Sequence, residues 1–307
     1  MPFTVVVVLH DSARELCALL RSLDAHAPAR PQVVAVDSGS ADGGASLARD
    51  WGAETLELPG NPGFGAASNA GVARARHDVT VLLNPDCELL DGSLAELAAR
   101  AAAQRDALHA PRLLDVDGSV QRSAHPLPGT LGALLAAPLH PPLLPRALRD
   151  RVEPYRAERP GTVGWAIGAC LAAATDTLRR LGPFDPAVHL FAEDMDLCLR
   201  ARARGVPTVL HPDLRLRHAG GHATLRDGEP FDLLARRRRT VLRATRGRRA
   251  LALDDLAQAL TFASRAAAHG LTGGDAARPT RQLAALVKAR RQCPPARGDA
   301  ARSTAHR

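Results

Sequence analysis

QVVAVDSGSADGGASLARDWGAETLEL, residues 32–58, decides the fold class. It opens with a Val-rich apolar run ending in an acid, turns through Gly and Ser into an amphipathic Ala/Leu/Arg stretch, and closes on a second β-prone run. A buried strand, a helix and another strand in that order form a parallel crossover unit. The alternation extends in both directions. Strands are expected at Thr4–His10, Gln32–Asp37, Glu54–Leu58 and Asp78–Asn84, with helices near Ala13–Ala27, Gly44–Trp51, Gly65–Ala75 and Ser93–Arg105. The first half therefore reads as an α/β domain, a sheet flanked by helices.

Composition narrows the rest. The 307 residues are 46% hydrophobic and 23% charged, which suits a folded globular chain and excludes disorder and fibrous repeats. The net charge of +8 is uneven: residues 1–200 sum to −6 and residues 201–307 to +14. Five cysteines, none in a C-x-x-C pair, suggest neither a disulfide framework nor a zinc ribbon, and a reducing cytoplasmic setting is the expectation. The opening apolar run reaches Asp11 too soon for a signal segment or membrane span. Pro-rich residues 126–145 read as an irregular or mobile connection over the site. Two units are expected: a catalytic domain over 1–230, and a basic Arg/Ala-rich helical extension over 231–307 whose tail frays after Gly270.

Ligands of open α/β sheets bind beyond the carboxyl ends of the strands. His10, Asp37, Asn61, Asn84 and Asp86 all stand there. Asp37 can hydrogen-bond a nucleoside or close an Asx turn. Asp86 can hold a hard divalent cation, or Asn84-Pro85-Asp86 can be a plain turn. No G-x-G-x-x-G follows the first strand, which removes most support for hydride transfer. Glu193, Asp194 and Asp196 open a helix whose dipole they stabilise, but crowded acids also hold protons more tightly, which suits general-base work. His218 follows an expected strand at Thr208–Leu210 with its extension Arg215–Arg217, and precedes Gly220-Gly221-His222; it is either structural or part of a metal shell. The cluster Arg236–Arg239 with Arg243, Arg246, Arg248 and Arg249, interleaved by Val241 and Leu242, reads as a solvated helical face or as a contact for an anionic membrane. Aromatic residues are 3% of the chain, too few for a stacking platform, so no nucleic acid is expected.

In order, VDSGSADGG, NPGFGAASNAG (61–71), LLNPD (82–86), DGSVQRSA (117–124), VGWAIGACL (163–171), GPFDP (182–186), FAEDMDLCLRARARG (191–205) and His218 resemble the family 2 glycosyltransferases of GT-A fold, in their rhamnosyltransferase-like branch. The resemblance covers roughly residues 3–225. It implies a mixed, Rossmann-like sheet for nucleotide-diphospho-sugar transfer. Asp37 would contact the nucleoside, the Asn61–Asn69 loop with Gly63 would shape the diphosphate site, and Trp165 and Gly168 would lie near the sugar or acceptor. His10-Asp11-Ser12 departs from the aromatic-Asn pair frequent there. Asp86 would be the metal acid of an Asp-x-Asp motif in which Asn84 replaces the first Asp, leaving more of the Mg2+ or Mn2+ shell to His218. Asp194 would be the base, with Glu193 beside it. These assignments imply an inverting, metal-dependent transfer of a sugar, with rhamnose from dTDP-rhamnose the expected donor. The acceptor would be a cell-wall, lipid-linked or polysaccharide hydroxyl, reached from the inner face of the plasma membrane by peripheral contact through the basic C-terminal region. Other readings are an inert nucleotide-sugar-binding or scaffold protein of the same fold, and a basic nucleic-acid or membrane-surface module.

Overall fold

A computed structural model describes residues 1–139, 144–185, 191–220 and 230–292. The N-terminal half follows the expected alternation: β1 (Thr4–Leu9), α1 (Ala13–His26), β2 (Gln32–Asp37), α2 (Gly44–Trp51), β3 (Glu54–Glu57), α3 (Phe64–Ala73), β4 (Val79–Leu83), β5 (Cys87–Leu89) and α4 (Ser93–Ala103). β1, β2 and β4 bury both faces, which is why their sequences are continuous rather than alternating apolar runs. Gly71 lets α3 lie close on this layer, since a Cβ there would come within 2.3 Å of Val6 Cγ1.

Then come β6 (Leu108–Leu114), β7 (Ala124–His125), α5 (Leu131–Ala136), α6 (Arg146–Val152), β8 (Gly161–Val163), β9 (Trp165–Ala166), β10 (Cys170–Ala174), α7 (Thr175–Leu181), α8 (Glu193–Ala203) and β11 (Thr208–His218). Within the Pro-rich stretch expected to be irregular, Thr130 caps a short helix, α5, by accepting from Ala133 N–H; residues 140–143 lie outside the described part. The sheet order is β3-β2-β1-β4-β10-β6-β11-β5, with β8 also on β11. β1 to β4 are mutually parallel, as are β6 and β11, whereas β10 runs antiparallel between β4 and β6. The sheet is thus mixed. The two strand pieces expected around 208–217 form one strand, whose register shifts between His211 and Arg215, where Pro212 cannot donate to the ladder.

The C-terminal region forms α9 (Phe231–Thr245), α10 (Gly247–Thr272) and α11 (Ala277–Arg291). The fraying expected after Gly270 therefore gives way to a further helix that packs on α9 and α10; the tail from residue 293 lies outside the described residues. Val241 and Leu242 of α9 join Met195 and Leu199 of α8 in a small apolar cluster. Half of the Arg236–Arg239 cluster turns inward instead of facing solvent: Arg238 makes two bonds to Asp254 at 2.7 and 2.8 Å, and Arg239 pairs with Asp255. Among the described residues no helix is long and apolar enough to cross a membrane.

Candidate active site

Three strand ends supply one side of the site. Asp37 is buried at the end of β2, and its Oδ1 accepts from Ser40 N–H at 3.0 Å and from the Ser40 hydroxyl, so part of this carboxylate closes an Asx turn. His10, exposed after β1, places Nδ1 3.0 Å from the Ser38 carbonyl and Nε2 3.4 Å from Asn61 Nδ2. Asn61 Oδ1 accepts from Ser38 Oγ at 3.1 Å and from Gly63 N–H at 3.0 Å. His10, Ser38, Asn61 and Gly63 thereby form one connected wall at the head of α3. Asn69 is elsewhere engaged: its amide donates to the Phe184 carbonyl at 2.8 Å and accepts from Phe184 N–H at 3.0 Å. It braces α3 against residue 184 with both polar ends used.

The turn after β4 carries the second group. Asp86 and His218 lie 3.3 Å apart, carboxylate Oδ1 to Nε2, both largely buried. Pairing of His218 with Cys87 across β11 and β5 fixes this approach. Burial pushes the Asp86 carboxyl up, but His218 and the Gly220 N–H, which donates to Oδ2 at 3.1 Å, outweigh it and leave Asp86 below the ordinary range. Asn84 Oδ1 is buried with no hydrogen-bond partner. An orphaned amide oxygen two residues before a carboxylate that faces an imidazole is a donor set suited to Mg2+ or Mn2+. Cys87 belongs to the same cluster, but burial pushes its thiol well up, and its S–H is directed to the Ala169 carbonyl at 3.3 Å.

The third group opens α8. Phe191 and Ala192 both have left-handed backbones (φ 65° and 68°), a reversal that costs roughly 1–3 kcal/mol per residue and sets Glu193 and Asp194 at the helix start. Asp194 Oδ2 accepts from Gly168 N–H at 3.0 Å, and Oδ1 accepts from Met195 N–H at 2.6 Å. Burial raises the Asp194 carboxyl even against these donors. Glu193 is pushed up to about 8 by burial and by Asp194, and its Oε2 is buried without a partner. The two groups meet at one sheet end: Asn84 N–H donates to the Ala169 carbonyl, next to Gly168, where β10 pairs with β4.

Trp165 stacks on His125 with ring centroids 4.0 Å apart. Burial, with Arg238 and Arg122 nearby, pulls His125 down to about 3, so this ring is neutral. His125 was not singled out in the sequence because nothing local separates it from a loop histidine. The role of Gln121 was also missed, although it lies in the DGSVQRSA stretch: it accepts from His218 Nδ1 at 2.8 Å. Gly221 and His222, expected beside His218, lie outside the described residues.

A family model described as Glycosyl transferase family 2 matches residues 4–172, more than half of the chain. The chain belongs to glycosyl transferase family 2. This glycosyltransferase is 30% identical over 242 residues to an N-acetylglucosaminyl-diphospho-decaprenol L-rhamnosyltransferase of Mycobacterium tuberculosis (strain CDC 1551 / Oshkosh), covering 73% of this chain and 78% of that protein. A low-salt glycan biosynthesis hexosyltransferase of Haloferax volcanii is 21% identical over 211 residues, covering 66% and 62%. Solved structures share the GT-A fold. A mannosyltransferase of Pyrobaculum calidifontis in complex with GDP-Man and Mn2+ matches with a TM-score of 0.57 at 18% identity, over 94% of this chain and 85% of that one. GalNAc-T7 with UDP, GalNAc and Mn2+ also gives 0.57, at 17% identity; this chain is covered to 94% and spans 54% of that chain. The glycosyltransferase is thus rhamnosyltransferase-like within its family.

Proposed function

We propose that this glycosyltransferase is an inverting, metal-dependent enzyme that moves rhamnose from dTDP-rhamnose to a hydroxyl of a lipid-linked glycan. The observation that carries the reading is the convergence of Asp194 and the Asp86–His218 pair on the end of the β4–β10 pair, through Gly168 and the Ala169 carbonyl. The mycobacterial relative, named for a rhamnose transfer to a diphospho-decaprenol carrier, supports the donor and the acceptor class.

Asp86, His218 and Asn84 would hold the cation, which when bound offsets negative charge on the departing diphosphate. Asp37 and the wall of His10, Asn61 and Gly63 would orient the nucleoside and diphosphate. Asp194, held in place by the Gly168 and Met195 N–H groups, would take the acceptor hydroxyl proton as the oxygen bonds to C1. The C1–phosphate bond breaks with its electron pair leaving on the nucleoside diphosphate, which inverts the anomeric centre. Trp165, fixed by His125, offers an apolar face to the acceptor sugar. We assign membrane contact to the outer face of α10 rather than to the Arg236–Arg239 cluster, because Arg238 and Arg239 are already neutralised by Asp254 and Asp255.

The test is release of nucleoside diphosphate from a panel of nucleotide sugars, with and without Mn2+, using an N-acetylglucosaminyl-diphospho-polyprenol acceptor. Metal-dependent release from dTDP-rhamnose is expected, abolished by Asp86→Ala and lowered about 10²–10⁴-fold by Asp194→Asn with donor binding retained. Near-normal turnover by Asp194→Asn would reject the base assignment, and preference for another donor would reject rhamnose.

A further inference from the structure

The turn joining β6 to the Gln121 segment has a role beyond closing a hairpin. Asp115 N–H donates to the Ser119 carbonyl at 2.8 Å and Leu114 bridges to Val120, so the chain doubles back and delivers Gln121 against β11. There the Gln121 amide is oriented without ambiguity. Its Nε2 faces two groups that can only accept, Asp115 Oδ1 at 2.8 Å and the His218 carbonyl at 3.4 Å, so the nitrogen must be on that side. Ser119 Oγ, 3.3 Å from Asp115 Oδ2, steadies the same carboxylate. The amide oxygen then faces His218 Nδ1 at 2.8 Å, and an oxygen there requires that Nδ1 carry the proton.

We propose that Asp115 and Gln121 are positioning residues that fix a proton on His218 Nδ1, so that Nε2 is the ring nitrogen offered, beside Asp86, to a cation. Resting on the metal-dependent reading above, this assigns the DGSVQRSA stretch to the cation site although none of its side chains touches the cation. With acceptor oxygens facing both ring nitrogens, the metal-free ring can donate from Nε2 to Asp86 at 3.3 Å; a cation shared between Nε2 and Asp86 takes the place of that proton, while Gln121 retains the one on Nδ1. Gly220 completes the arrangement: its N–H holds Asp86 Oδ2, and its left-handed backbone (φ 64°) favours glycine there. A merely structural Gln121 would be indifferent to which ring nitrogen of His218 is protonated.

The probe is Mn2+ alone, its binding to the full chain measured by the loss of the free-ion paramagnetic resonance signal. Gln121→Met, which keeps the shape and removes the acceptor, should weaken Mn2+ binding about 10–100-fold, as outer-shell substitutions do. Gln121→Glu, which retains an oxygen toward Nδ1, should bind more tightly than Gln121→Met. Asp115→Ala should weaken binding as well, by releasing the amide. Histidine 15N resonances of the unsubstituted chain loaded with Mg2+ should show His218 protonated at Nδ1, a readout that needs no variant. Equal Mn2+ affinity of Gln121→Met and the native chain, or a His218 protonated at Nε2, would overturn the inference and leave the metal reading standing. Absence of Mn2+ binding by the native chain, with or without dTDP, would overturn both.

Discussion

Two adjacent carboxylates at the start of α8 differ in what surrounds them, and that difference separates their roles. Asp194 is clamped by two backbone N–H groups, whereas Glu193 has a buried oxygen with no partner and is pushed up to about 8. At neutral pH Glu193 therefore keeps its proton, while the two N–H donors favour the ionised form of Asp194 against the burial that raises it. As pH rises through about 8, Glu193 ionises and places a second negative charge beside the base. Initial rates of transfer against pH should inflect near pH 8 in the native enzyme. Glu193→Gln should remove that inflection and leave in place the acid limb, which Asp194 sets above the ordinary carboxylate range. An unchanged profile would mean that Glu193 does not titrate where its surroundings place it.

At the scale of elements, α8 is held from behind by the C-terminal helices. Leu242 is fully buried against Met195 and Leu199, and Arg238 reaches from α9 to Asp254 of α10 while its Nη1 lies 3.7 Å from Met195 Sδ. Leu242→Ala should destabilise the protein by about 2–5 kcal/mol in denaturant titration, the range for removing a buried leucine, and should lower turnover more than donor affinity, because it loosens the helix that carries Asp194. The opposite split would place α9 outside the site. This bracing was not legible in the sequence: the Arg run reads as solvated until its two partners, sixteen residues later in the next helix, α10, are seen to turn inward. The first four strands and helices were legible: burial on both faces writes a continuous apolar run in β1, β2 and β4, and the half-exposed β3 follows from its place after α2. For the site, Asp86, His218, Gly168 and Asp194 could be named from motif order. Gln121 and His125 could not, since their meaning lies in partners 97 and 40 residues away, Nδ1 of His218 and the Trp165 ring.

Over the whole molecule the positive charge proves less available than the count suggests, and what remains exposed is partly apolar. Ala252, Leu256, Leu260, Ala263, Ala267 and Leu271 are all exposed at helical spacing along α10, while its two acids, Asp254 and Asp255, face inward. Arg248 and Arg249 are exposed at the head of this face. An apolar stripe headed by cations and free of exposed acids suits an anionic bilayer surface. Native protein should float with phosphatidylglycerol vesicles at low salt, and the double substitution Leu256→Glu, Leu260→Glu should release it without changing its melting temperature. Flotation that survives the substitution would assign the contact to another face.

The antiparallel insertion of β10 between β4 and β6 also sets an order of events during synthesis. Val79–Leu83 is made long before Cys170–Ala174, its neighbour on one side. Until that later stretch leaves the ribosome, the growing chain carries an apolar strand with one unpaired edge, the kind of surface on which nascent chains stick to one another. His218 emerges later still. A polypeptide stalled between Leu83 and Cys170 would thus be both adhesive and inert.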